Sequence, residues 1–131
     1  REALQLRTYA GAPLPLPLQM AAAAVWSDEA HVEEIRALYR RKYEMADQIL
    51  GNVPGYAAPE AGFFLWLPVP DGEAAALRLW KKTGVRVLPG AYLAQGTGSE
   101  NPGHEYIRVA LVATEAETER GLTAIRDVLY A

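Results

Sequence analysis

The sequence predicts an α+β fold, a two-layer arrangement in which a small sheet is packed by helices and preceded by one long helix. Three observations carry this. Residues 104–113 alternate, with Ile107, Val109 and Leu111 on one face and Tyr106, Arg108, Ala110 and Val112 on the other, the mark of a strand with one packed side. Between Asp28 and Leu50 the apolar residues Val32, Ile35, Leu38, Tyr39, Met45, Ala46 and Ile49 step by three and four, which marks one buried face of a helix. Thr114-Glu115-Ala116-Glu117 is a capping box ahead of the stripe Leu122, Ile125, Val128 and Leu129.

In chain order, residues 1–18 begin polar and continue as Ala10-Gly11-Ala12-Pro13-Leu14-Pro15-Leu16-Pro17-Leu18. Prolines at alternate positions oppose a helix and push each preceding residue to extended geometry, so an extended arm is expected. Such an arm either lies across its own domain or packs on another domain or subunit. The alanine-rich run from Gln19 to Trp26 favours helix. Ser27 is expected to cap the next helix, with Asp28 and Glu29 in its first turn. That helix runs over 28–50 and stops at Gly51, before the turn Asn52-Val53-Pro54-Gly55. Gly62-Phe63-Phe64-Leu65-Trp66-Leu67 reads as a buried strand closed by Pro68 and Pro70. Asp71 caps a short helix to about Lys82, with Leu77 and Trp80 expected inward and Gly84 ending it. Val85-Arg86-Val87-Leu88 is a second strand, and Ala91 to Gly103 is a loop, expected to be mobile.

Composition limits the function classes. The chain has 131 residues, enough for one domain with a sizeable core, and half of them are hydrophobic. A formal net charge of -3 gives no electrostatic case for nucleic acid or an anionic membrane. No apolar run approaches the ~20 residues of a membrane span. There is no cysteine, which removes disulfides and thiolate metal sites and is compatible with the cytoplasm. The chain starts at Arg1 rather than at methionine, and it is expected to be a segment of something longer.

Few residues suggest chemistry. His31 and His104 are far apart, neither has a second ligand at a useful spacing, and no metal site is expected. There is no Gly-x-Ser-x-Gly elbow, and Gly96-Thr97-Gly98 neither follows a strand nor opens a helix. What remains is Arg108. An arginine on a strand opposite a packed face is either paired internally with a nearby glutamate or available to an anion such as a substrate carboxylate. The residues alone leave both open. They also allow a stand-alone α+β module that binds a small carboxylate ligand or a protein partner.

Several pieces taken together, in order and spacing, resemble one family. Gly62-Phe63-Phe64-Leu65-Trp66-Leu67, a short helix, Gly84-Val85-Arg86-Val87-Leu88-Pro89-Gly90, a loop, and Tyr106-Ile107-Arg108-Val109-Ala110 before a capped helix are similar to the C-terminal part of class I/II aminotransferases of the pyridoxal-phosphate fold type I group. Gln19 followed by alanines resembles that family's helix start. The helix over 28–50 resembles the one linking its large and small domains. The stretch from Tyr9-Ala10-Gly11-Ala12-Pro13 to Trp26-Ser27-Asp28-Glu29-Ala30-His31-Val32 resembles the N-succinyldiaminopimelate aminotransferase subgroup.

The resemblance implies a mainly antiparallel sheet, with residues 1–27 leading from a large domain and 28–131 forming the small domain. It implies transfer of an amino group between an amino acid and a 2-oxo acid, in amino-acid (lysine or diaminopimelate) biosynthesis. The full-length enzyme would be a cytoplasmic homodimer using pyridoxal 5'-phosphate. Arg108 occupies the position of the arginine that holds the substrate alpha-carboxylate, and Tyr92 in the Pro89-Gly90-Ala91-Tyr92 turn lines the mouth of the site. The three lysines, Lys42, Lys81 and Lys82, all lie in helices and none sits in a Ser-x-x-Lys-like setting. The Schiff-base lysine is therefore expected to be absent, with no catalytic or cofactor-binding residue in this chain, and the chain alone is expected to be inactive.

Overall fold

A computed structural model of the protein describes residues 2–11 and 14–131. It divides into two compact units, one ending at Arg36 and the other comprising Ala37–Ala131.

The first unit is helical: α1 (Glu2–Ala10), α2 (Leu16–Trp26) and the start of α3 (Ala30–Leu50). The extended arm expected up to Leu18 is therefore replaced by helix on both sides of residues 11–15. Its Ala12-Pro13 step lies outside the described residues. The reason is local: Pro15 is the N-cap of α2 and Pro17 falls in its first turn, where a missing N–H has no intrahelical partner to lose. Gln19 lies inside α2 rather than at its start, and its side-chain amide donates to the Leu14 carbonyl at 2.6 Å. Ser27 closes α2 instead of opening α3, its hydroxyl donating to the Ala23 carbonyl at 2.8 Å. Asp28 takes over the start of α3: one carboxylate oxygen accepts from the Ala30 amide at 3.1 Å and the other meets His31 Nδ1 at 3.0 Å.

In the second unit α3 leads to β1 (Phe64–Pro68), α4 (Gly72–Thr83), β2 (Leu88–Pro89), a 3-10 turn at Gly90–Leu93, another at Gly98–Glu100, β3 (Tyr106–Ala110) and α5 (Glu115–Leu129). The sheet has the order β1-β3-β2, with both pairs antiparallel, so β3 is central. Leu65 pairs with Val109 and Leu67 with Ile107, which puts these four side chains on one face. That face is the core, shared with Ala46 and Leu50 of α3, Ala75 and Leu79 of α4, and Leu122 and Ile125 of α5. Burial of each large aliphatic side chain here contributes roughly 1.5–3 kcal/mol.

The helix faces are phased differently from expectation. In α3 only the second half is covered: Lys42, Ala46 and Leu50 are buried, Tyr39, Tyr43, Met45 and Ile49 pack against the core, and Ile35 and Leu38 are exposed. In α4 the inward residues are Gly72, Ala75 and Leu79, not Leu77 and Trp80, which are 51% and 45% exposed. The Gly72 amide donates to the His104 carbonyl at 2.8 Å, which docks the helix start against the lead-in to β3. That contact fixes which residues three and seven positions later face the sheet. Asp71 caps α4 as expected, accepting from the Glu73 and Ala74 amides at 2.9 and 3.0 Å, and Gly84 ends it at φ 75°. The second strand is shorter than expected: only Leu88 and Pro89 join the ladder.

Candidate functional site

The sheet's second face carries Phe64, Trp66, Tyr106, Arg108 and Ala110 and is partly open. Sequence alone marks the 62–67 segment as buried throughout, yet only Leu65 and Leu67 point into the core, and Phe63 and Trp66 are 41% and 40% exposed. Strand pleating decides this for Trp66, because helices cover one side only, whereas Phe63 lies just before β1.

Arg108 sits at the centre of this face. Across β3 it pairs with Trp66 on one side and Leu88 on the other. It is half-buried, and its guanidinium carbon lies 4.2 Å from the centroid of the Phe64 ring. Among the described residues it makes no ion pair and no side-chain hydrogen bond; the four ion pairs there are His31–Asp28, Arg36–Glu33, Arg41–Glu115 and Arg126–Asp127. The internal glutamate pairing that the residues left open is thus not formed among them. A guanidinium has five N–H donors in one plane, and a ring beneath it engages none of them. Beside it, Trp66 and Tyr106 stack with centroids 5.4 Å apart and planes inclined by 22°.

Tyr92 lies in the 3-10 turn after β2 and is largely exposed. Its hydroxyl donates to Glu73 Oε1 at 2.9 Å, and that bond, with the carboxylate's charge, raises its pKa above the ordinary tyrosine value. No side-chain hydrogen bond of the described residues links Tyr92 to Arg108.

The loop expected to be mobile is instead tied down by Asn101, which is 6% exposed. Its side-chain amide nitrogen donates to the carbonyls of Ala91, Ala94 and Gly96 at 3.0, 3.4 and 3.3 Å, and its side-chain oxygen accepts from the Gly103 amide at 2.8 Å. Gly90 and Gly103 pack backbone to backbone, and a Cβ on Gly90 would stand 2.9 Å from the Trp66 ring. The loop is thereby held against the open face beside the arginine. An asparagine among glycines was the only signal of this in the sequence.

The three lysines all lie in helices, one buried and two on the surface. Lys42 is 3% exposed, and its ammonium donates to the carbonyls of Leu111, at 2.7 Å, and Ala113. Lys81 and Lys82 are in the last turn of α4, exposed to solvent. No group of three or more His, Asp or Glu side chains among the described residues converges as a metal site. No helix there is long and apolar enough to cross a membrane.

No family model matches the chain. Among curated proteins it is similar to LL-diaminopimelate aminotransferase of Dehalococcoides mccartyi, 32% identical over 121 residues, covering 89% of this chain and 29% of that protein. Among solved structures, an aminotransferase from Neisseria meningitidis is 41% identical with a TM-score of 0.87, covering 98% of this chain and 33% of the other. A probable N-succinyldiaminopimelate aminotransferase from Thermus thermophilus is 27% identical with a TM-score of 0.70, covering 86% and 29%. The chain thus spans about a third of the length of the proteins it matches. The two-layer fold with a three-stranded antiparallel sheet, and the similarity along nearly all of its length, show that the chain has the fold of the C-terminal domain of aminotransferases and is similar in sequence to that part of them.

Proposed function

We propose that this chain supplies the substrate-carboxylate clamp of a complete aminotransferase, with Arg108 as the clamp. The observation that carries the reading is the state of Arg108: central on the open sheet face, steadied by the Phe64 ring, and without an acidic partner among the described residues. A planar carboxylate can take two parallel N–H bonds from such a guanidinium, which fixes its orientation as well as its position. Orientation is what an amino-transfer site needs from this residue, because the bond to be broken must be aligned before reaction.

The cofactor of the family supplies the electron sink for amino transfer. The residues of this chain do not fit its attachment: Lys42 is buried and committed to two carbonyls, and Lys81 and Lys82 lie at the end of a surface helix. In this reading the chemistry is supplied by the rest of the enzyme, with α3 linking the two domains. The complete protein would act as a cytoplasmic homodimer on an amino acid and a 2-oxo acid, and Tyr92 would line the mouth of the site. The names of the D. mccartyi and T. thermophilus proteins support amino acids of the diaminopimelate type as its substrate class.

Arg108→Ala and Arg108→Lys in the complete enzyme test this. Both should raise KM for the amino substrate, alanine by about a hundredfold, in keeping with loss of a bidentate charged pair. Cofactor absorbance should stay unchanged. Undiminished turnover at low substrate in Arg108→Ala would end the clamp reading. The rival module reading predicts instead that the isolated chain binds a carboxylate by itself, which titration of acetate followed by NMR would detect.

A further inference from the structure

We infer that Phe64 is a positioning residue for Arg108: its ring fixes the guanidinium from the face while every N–H donor stays free for the ligand. The inference rests on the clamp reading of Arg108 and adds to it the element that keeps the clamp in place.

A strand arginine is long and flexible, and something must hold it if it is to meet a carboxylate in one orientation. An acidic side chain would do so at the cost of the function, because it would occupy the same donors and neutralise the same charge. An aromatic ring attracts the cation through its face and leaves the donors in the plane untouched. The register alone does not dictate this contact. Trp66 is the residue directly opposite Arg108, whereas Phe64 is opposite Ala110 and so only diagonal to it. The guanidinium nonetheless lies over Phe64, at 4.2 Å. Two features favour the diagonal. The Trp66 ring is stacked with Tyr106, and Ala110, next to Arg108 on the same face, has only a methyl group beside the path.

The ring is itself supported. Phe63 lies against Phe64 with centroids 4.2 Å apart, and Tyr39 of α3 lies 6.1 Å beyond Phe63. The support for the clamp therefore runs from its own sheet back to the long helix, through three aromatic side chains and without a carboxylate.

The test uses the complete aminotransferase that carries this segment, with Phe64→Leu, Phe64→Tyr, Arg108→Ala and the double variant Phe64→Leu/Arg108→Ala. Phe64→Leu should raise KM for the amino substrate roughly three- to tenfold, the range a partly desolvated cation–π contact supports, with kcat much less affected. Phe64→Tyr should restore KM to within about twofold, since it keeps the ring. In the Arg108→Ala background Phe64→Leu should add nothing. If Phe64→Leu does not fold, Phe64→Met keeps the bulk without the ring and should show the same KM rise. An unchanged KM in the folded leucine or methionine variant, while Arg108→Ala raises it, overturns the role of Phe64 and leaves the clamp standing. An equal loss from Phe64→Leu with and without Arg108 also overturns it, because the ring would then act on the fold. A normal KM in Arg108→Ala removes the clamp itself.

Discussion

Lys42 Nζ donates to the backbone carbonyl of Leu111 across 2.7 Å, which joins the middle of α3 to the end of the central strand. The same ammonium reaches the Ala113 carbonyl, just before the N-cap of α5. A single positive charge thus closes the exit of β3, where the ladder stops and the carbonyl of the buried Leu111 needs a donor.

Replacing it should be costly. Lys42→Met keeps the apolar stem and removes the donor, so the buried Leu111 carbonyl loses its partner. The expected destabilisation is roughly 2–3 kcal/mol. Urea unfolding of the chain measures it, and a midpoint equal to that of the parent would show the two bonds to be of no account.

Asn101→Ala should loosen the loop without unfolding the core. It removes the donor to three carbonyls and the acceptor for the Gly103 amide, worth about 1–3 kcal/mol locally. Hydrogen exchange should accelerate at residues 91–103 and stay slow in β1 and β3. Equal protection in both proteins would contradict the anchoring role.

Gly103→Ala should disturb the same region for a different reason. A Cβ there would overlap the Gly90 backbone, and the Trp66 ring lies close beside that same glycine. About 1–3 kcal/mol of stability should be lost, and Trp66 fluorescence should shift as its ring is displaced. A fully folded variant with an unaltered spectrum would contradict the close packing.

The helix caps predict the acid limb of stability. Hydrogen bonds from the Thr114 side chain and backbone hold the Glu117 carboxyl below its ordinary value of 4.5, and the Ala74 and Glu73 amides hold Asp71 below 3.8. Both groups bind protons less tightly when folded. Their stabilisation is therefore complete above those ordinary values and is lost as pH falls through the lower folded values. Thr114→Ala should cost about 0.5–2 kcal/mol at neutral pH and flatten the acid limb. An acid limb with the parent slope would remove Glu117 from it.

At the alkaline end Tyr130 has the opposite sign. Burial pushes its phenol up to about 12, and its hydroxyl donates to the Pro68 carbonyl at 2.9 Å. The folded state holds this proton more tightly, so the contribution is intact below the ordinary value of 10 and disappears as pH climbs toward about 12. Tyr130→Phe should show a shallower fall in melting temperature between these limits. A fall identical to the parent's would exclude Tyr130 as its source.

Periodicity revealed the elements well where a single local signal decided them. Asp71, Gly84 and the Thr114–Glu117 box lie where capping chemistry requires, and Ile107, Val109 and Leu111 face the core as their alternation demands. It failed where a residue's role depends on a distant partner. Lys42 reads only as one of three lysines in helices until the carbonyls of residues 111 and 113 are brought to it. Leu77 and Trp80 read as core until Gly72 docks on the His104 carbonyl and sets the helix phase. Pro15 and Pro17 oppose a helix only in its interior, and a sequence pattern does not say which turn they occupy. For the site, Arg108 was visible as one charge on a strand. Its contact with Phe64 was not, because diagonal pairing depends on register.

The prolines that end the outer strands bear on self-association. Pro68 closes β1 and Pro89 makes up half of β2, and neither has an N–H to offer an approaching strand. A foreign chain laid along either outer strand would find its run of donors cut short after a few residues. The three-stranded sheet can therefore present one aromatic, arginine-bearing face to a ligand while its margins remain poor templates for edge-to-edge aggregation.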